Sequence, residues 1–308
     1  MTLLKNKLGF INTIHKYFSR YQKEDRLFFP FLRISLGLFF LVHFFSTLAD
    51  FDILFTNDGL IPLDVISLLR VEGIPTLNII IKLLNNIGID NVYTIYTYII
   101  TYIICCITLT IGLFSRVSAI VILFLHIILF QSSNIYMYGI DFFKSISMFY
   151  CVVIPVGSKI SLDAVLFKKR EYNPSPYRNL LRIHLSIVYF TSGLDKAFGI
   201  NWWNGESIWK SLHLPGFESY IIRDYDLLQI YPIIPLFIGI LTVFIEILYP
   251  FFMWRKKTRN YWLMLVICLH MGIIIAMNLY FFGAIMILLN LSGFLNLEEK
   301  EHQGANSN

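Results

Sequence analysis

Residues Tyr189–Gly205 read YFTSGLDKAFGINWWNG. An apolar, aromatic run ends on two adjacent charges, Asp195 and Lys196, and Trp202 and Trp203 follow at once. Tryptophan collects where hydrocarbon meets water, so the stretch marks the outer end of a membrane span. An ionisable residue inside such a span costs roughly 2.5–3.5 kcal/mol on insertion scales and faces a bundle interior or a wet cavity. Lys196 therefore has to be explained either as a structural charge or as chemistry.

The composition around it agrees with a membrane reading. Of 308 residues, 56% are hydrophobic and 15% charged, and mean hydropathy is +0.65. A soluble domain carries about 25% charged residues. The net charge of +5 follows membrane sidedness and does not point to nucleic acid. Cys105, Cys106, Cys151 and Cys268 all sit in apolar runs, which argues against a disulfide framework. No CxxC, HExxH, GxGxxG, P-loop or GxSxG pattern occurs, so no metal site, nucleotide loop or serine-hydrolase elbow is expected.

A span needs about 20 apolar residues. Working outward from Lys196, eight segments qualify, roughly 31–49, 92–114, 117–135, 140–157, 180–198, 231–254, 261–278 and 279–295. Several are short or interrupted, so seven is the alternative count. With both termini inside, 18 of the 25 Lys and Arg residues fall in inner segments; Arg70, Lys82, Lys210 and Arg223 are the outer ones. The positive-inside rule favours this orientation. The expected fold is an all-α, polytopic transmembrane helix bundle with in-plane amphipathic helices. Residues 1–30 read as a cytoplasmic amphipathic segment, on the leaflet or as a soluble arm, 31–295 as the membrane domain and 296–308 as a polar tail. In the outer loop after Asp58, the positions Ile74, Leu77, Ile81, Leu84 and Ile87 trace one helical face, as a re-entrant or in-plane helix would.

Polar groups at membrane depth define the candidate site. Lys196 reads as a snorkelling or ion-paired residue, or as a desolvated amine able to act as a base. Asp195 points about 100° away from it around a helix and need not be its partner. Glu246 and His270 lie at matching depth on two helices joined by a short basic loop, which predicts a Glu–His hydrogen bond. His126 reads as a satisfied core histidine or a ligand group. Asp141 and Lys144 are three apart and predict a local ion pair, at the outer end like Lys196. Trp202 and Trp203 suit the outer aromatic belt or a pocket wall.

The opening stretch, extended to YFTSGLDKAFGINWWNGESI, resembles the signature of the vitamin K-dependent γ-carboxylase-like family, also called HTTM proteins (horizontally transferred transmembrane domain). Leu32–Pro62, the SSNIYMYG turn and FIEILYPFFMWRKKTRN with its following LHMGI resemble further family segments, in the same order. The resemblance implies Lys196 as the base that deprotonates a reduced quinone of the vitamin K hydroquinone type. His270 and Glu246 would shape the pocket. Asn134 stands where the carboxylases have a histidine. The short bacterial, SdpB-type members resemble this chain in length, and they imply maturation of an antimicrobial peptide at the outer face of the cell membrane, with partner maturation proteins. A non-catalytic, immunity-type membrane protein that binds a peptide through outer acidic residues such as Asp58, and a transporter, are the other two classes the residues allow.

The charge pattern makes a testable topology. Single cysteines replacing Lys257 and Lys210 are expected to react with an impermeant maleimide from opposite sides, the first only after the cytoplasmic face is opened. Labelling of both from the outside of intact cells would reject the orientation.

Overall fold

The structure, a computed structural model, describes residues 18–55, 61, 65–66, 73–133, 136–168, 170–214 and 230–296. The expectations for Asp58, Asn134, residues 1–17 and the tail from 297 lie outside these residues. The described chain is helical and contains no strand. Five helices are long and apolar enough to cross a bilayer. They are α1 (Phe28–Leu48, with the turn before it), α4 (Asn91–Ile111), α5 (Ser115–Ser132), α11 (Ile233–Met253) and α12 (Lys256–Met277). Helices also form at the other three expected segments. α6 (Gly139–Val153) and α13 (Tyr280–Phe294) have 15 residues each. At 1.5 Å per residue, each falls short of a core about 30 Å thick. α8 (Ser175–Phe198) is long, at 24 residues, but carries Arg178, Arg182, Asp195 and Lys196. The shorter helices are α2 (Phe51–Phe55), α3 (Leu77–Asn85), α7 (Leu162–Leu166), α9 (Ile200–Trp203) and α10 (Glu206–Leu212). α3 starts at Thr76, whose hydroxyl accepts from Ile79 N; of the expected face it buries Leu77 and Ile81, whereas Ile87 lies past the helix end and is exposed.

The chain divides into two compact units, one of Phe29–Tyr172 and one of Met1–Phe28 with Asn173–Asn308. In the Phe29–Tyr172 unit, α4 ends on Gly112, whose φ of 80° favours glycine. A side chain there would also run into Arg33 and Ser161. α5 then begins on a cap from across the unit: Asp163 accepts from Phe114 N at 2.7 Å and from Ser115 N and Oγ at 2.9 Å. A carboxylate there satisfies amides that have no partner within the helix. Arg33, buried in α1, donates to Ile160 O at 2.7 Å and lies close enough to Asp163 to interact with its charge.

In the second unit, residues ahead of α1 are tied to the start of α8. Asp25 is wholly buried and accepts from Arg178 Nη1 at 2.7 Å and Arg182 Nη2 at 3.2 Å. The same arginines reach the end of α13: Arg178 Nε donates to Ser292 O at 2.8 Å, and Arg182 Nε to Gly293 O at 2.6 Å. Cations there offset the negative end of the helix dipole. Arg178 and Arg182, which a charge count treats as topogenic loop residues, are interior groups in the fold. Phe18 meets Trp254 edge-on, and its carbonyl accepts from Asn179 Nδ2. Residues 18–25 are thus packed against this unit.

Removing Asp25 strands two buried guanidinium groups. Asp25→Ala is expected to cost about 3–5 kcal/mol, the usual effect of breaking a buried pair by deleting one partner. The check is thermal unfolding in detergent, with Lys257→Ala, at an exposed position, as the control that leaves Tm unchanged.

Candidate functional site

The site in the second unit is built where α8 meets α11. Gly193 sets their separation. A Cβ at this position would sit 2.7 Å from Ile247 N and 2.9 Å from the Glu246 Cβ. Small residues let membrane helices approach this closely. One turn on from Ser192, Lys196 Nζ then donates to Glu246 Oε2 at 2.7 Å and to Ser192 Oγ at 2.6 Å. The ammonium also lies 5.3 Å from the centre of the Trp202 ring, within cation–π range. The lysine side chain is 20% exposed and the glutamate 8%. The ammonium thus has a carboxylate, a hydroxyl and an aromatic ring around it. Gly239 in α11 passes against Trp202 O, which fixes the tryptophan's backbone beside the pair.

Behind this pair lies a second polar layer. His270 in α12 is 3% exposed, and its Nε2 is 2.6 Å from Tyr189 OH in α8. Tyr189 OH also accepts from Asn290 Nδ2 in α13 at 2.8 Å. Tyr249 OH in α11 donates to Asn290 Oδ1 at 2.6 Å, and the Tyr189 and Tyr249 rings stack with centres 4.1 Å apart. Four helices therefore converge on one hydrogen-bonded chain. The Lys196 charge acts on the His270 ring.

The expected Glu246–His270 hydrogen bond does not form. Their depths match, but Glu246 faces α8 and takes Lys196, while His270 takes Tyr189. Depth follows from sequence position, whereas the direction a side chain takes around its helix axis does not. Asp195 is exposed and takes no part in the pair. Trp203 turns away from the lysine, donating Nε1 to Ala197 O at 2.8 Å and meeting Phe244 edge-on.

Three other candidates belong to the Phe29–Tyr172 unit and form their own cluster. Lys144 Nζ is 3.5 Å from Asp141 Oδ1, the local pair the spacing predicts, and 3.4 Å from His43 Nδ1. His126, 1% exposed, places Nε2 3.2 Å from Asp141 O, as a satisfied core histidine does. Among the described residues no three His, Cys, Asp or Glu side chains could hold a metal ion together.

Ser192, Tyr189, Tyr249 and Asn290 are the residues that a search for ionisable groups passes over. Asn290 had a signal: it is a lone amide in the apolar run FFGAIMILLNLSGF, and an amide at that depth needs a partner on another helix. Tyr189 and Ser192 stand inside the opening stretch itself.

The family model of the HTTM domain matches residues 74–295, well over half of the chain. No curated protein and no solved structure matches the sequence.

The close approach at Gly193 gives a direct test. Gly193→Ala is expected to separate α8 from α11, strain the Lys196–Glu246 bond and cost about 1–3 kcal/mol, as overpacking does. An unchanged Tm in detergent would reject this account of how the pair is positioned.

Proposed function

We propose, from the premise that the chain belongs to the HTTM family, that this membrane protein is a multi-pass protein of the cell membrane in which Lys196 acts as a base on a small peptide or its activating group. The carboxylase-like family and the membrane-spanning helices supply the general class. The observation that carries the finer reading is the Lys196–Glu246 contact of 2.7 Å, with the Trp202 ring centre 5.3 Å from the ammonium.

In this reading the ion pair is a proton store. Moving one proton along the hydrogen bond, from Nζ to Oε2, leaves a neutral amine beside a neutral carboxylic acid. The amine then takes a proton from an acid bound next to it and becomes an ammonium, while Glu246 keeps the proton it received. Ser192 holds Nζ in place through both states, accepting from the amine or the ammonium. A dry surrounding favours the neutral arrangement over the charged one, because it removes the hydration that separates charges in water.

A reduced quinone of the vitamin K hydroquinone type fits the residues present. They offer flat aromatic neighbours, an amine and, in His270 Nδ1, a buried polar atom that no described group satisfies. When bound, such a group supplies an acidic ring hydroxyl. Trp202 would face its ring, and Lys196 would take its proton. The resemblance to SdpB-type members assigns this chemistry to the maturing of an antimicrobial peptide at the outer face, with partner maturation proteins.

One observation favours a second reading, a peptide-binding or immunity-type protein without catalysis. Lys196 bonds a carboxylate on α11 and a hydroxyl on α8 and lies against the Trp202 ring, which is how a structural strut between α8 and α11 would be made.

Lys196→Arg separates the two, since arginine keeps the charge and the pair but is not a base at any accessible pH. The first check is whether a neighbouring gene encodes a small secreted precursor, and the readout is then the mass of that precursor after co-expression. Catalysis predicts normal Tm and at least a hundredfold slower modification, the lower range for losing a general base. Unchanged modification with Lys196→Arg would leave the strut reading standing.

A further inference from the structure

The hydrogen-bonded chain behind Lys196 has a direction, and the direction can be worked out from donor and acceptor counts. Asn290 Nδ2 carries two hydrogens. One goes to the backbone carbonyl of Met286 at 2.8 Å and one to Tyr189 OH at 2.8 Å. The carbonyl can only accept, so this side of the amide is its nitrogen and the orientation of Asn290 is fixed. Its oxygen then accepts the Tyr249 hydroxyl, at 2.6 Å. Tyr189 OH already accepts from Asn290. Its own hydrogen has one acceptor within reach, His270 Nε2 at 2.6 Å. If Nε2 carried the hydrogen instead, the buried Tyr189 hydroxyl would have no acceptor, which costs more than the bond it would form.

His270 Nε2 is therefore the acceptor. The ring is buried and no carboxylate among the described residues contacts it, so the imidazole is neutral. A neutral imidazole with a bare Nε2 carries its hydrogen on Nδ1. That Nδ1 is buried and has no hydrogen-bond partner among the described residues. Every other polar atom in the chain from Tyr249 to Tyr189 is satisfied. A network that fixes a tautomer and leaves one donor over is arranged for an acceptor that comes from elsewhere.

We infer that His270 offers Nδ1–H as a hydrogen-bond donor to a carbonyl or oxyanion oxygen of the ligand bound beside Lys196, and that Tyr189, Asn290 and Tyr249 are positioning residues that hold it in that tautomer. The ligand class is an oxygen acceptor set in an apolar frame, as in a quinone carbonyl or a peptide amide. The inference rests on the reading that the Lys196 site takes a ligand, but not on Lys196 being a base.

Nitrogen-15 NMR of the full-length protein, labelled at its histidines and held in nanodiscs, tests it. The His270 signals are identified by their loss in His270→Gln. The wild type is expected to show a protonated Nδ1 and a bare Nε2. In Tyr189→Phe, which removes the donor to Nε2, the tautomer is expected to redistribute. A wild-type proton on Nε2, a doubly protonated ring, or a tautomer indifferent to Tyr189→Phe would each overturn the assignment. Menadione, which has only carbonyl oxygens, and an N-acetylated, amidated dipeptide are the two probes. Binding of either is expected to shift the Nδ1 resonance and to identify the source of the oxygen. His270→Asn, which places an N–H near the Nδ1 position, should keep affinity within severalfold, whereas His270→Gln should lose about tenfold or more. Failure of both probes to move Nδ1 overturns the ligand class. Lys196→Arg separates the two claims: peptide modification that survives it rejects the base, yet leaves the tautomer and probe results as they were.

Discussion

Hydrocarbon contains no water to take up a hydrogen bond, so a charged or polar side chain carried into a helix bundle must find its partner on another helix. That constraint organises each unit of this protein. Arg33 is paired through Ile160 and the charge of Asp163, which also caps α5. Asp25 joins two arginines that in turn hold the end of α13. Lys196 meets Glu246 where a glycine lets α8 and α11 approach. Each polar contact selects one rotation of a helix that lipid alone would leave undetermined.

The same constraint separates support from chemistry. In the Asp25 cluster, Arg178 and Arg182 spend donors on a carboxylate, on backbone carbonyls and on Asn179, and the atom left over is an acceptor, Asp25 Oδ2. In the layer behind Lys196 the atom left over is a histidine nitrogen, His270 Nδ1. A bundle that needed only stability would end its hydrogen-bond chain on a backbone carbonyl, as Asn290 does at Met286. Ending it instead on a histidine leaves a buried polar atom, Nδ1, which the inferred tautomer makes a donor. In the proposed function the pair in front exchanges one proton along its hydrogen bond.

Helix placement was legible in the residues. The apolar run expected at about 92–114 locates α4 to within a few residues, and the apolar periodicity marks α3. The Asp141–Lys144 pair was legible as well, because three-residue spacing on a helix fixes geometry locally. Glu246 and His270 were legible as polar residues at equal depth but not as to partner. Tyr189 and Asn290 acquire meaning only through each other, across 101 positions of sequence.

The sequence by itself determined that this chain is a helical membrane protein, which segments become helices, and that Lys196, Glu246 and His270 stand at depths where a polar group needs a reason. Length, hydropathy and capping act within a few residues of themselves, so they are written locally. Only the tertiary structure decided that Lys196 takes Glu246 and that His270 takes Tyr189. In water an apolar stripe would have marked the buried face of each helix. In lipid, acyl chains are as apolar as leucine, so the outward face of a helix looks like its inward face, and rotation is set by packing at Gly193 and by polar contacts between distant residues.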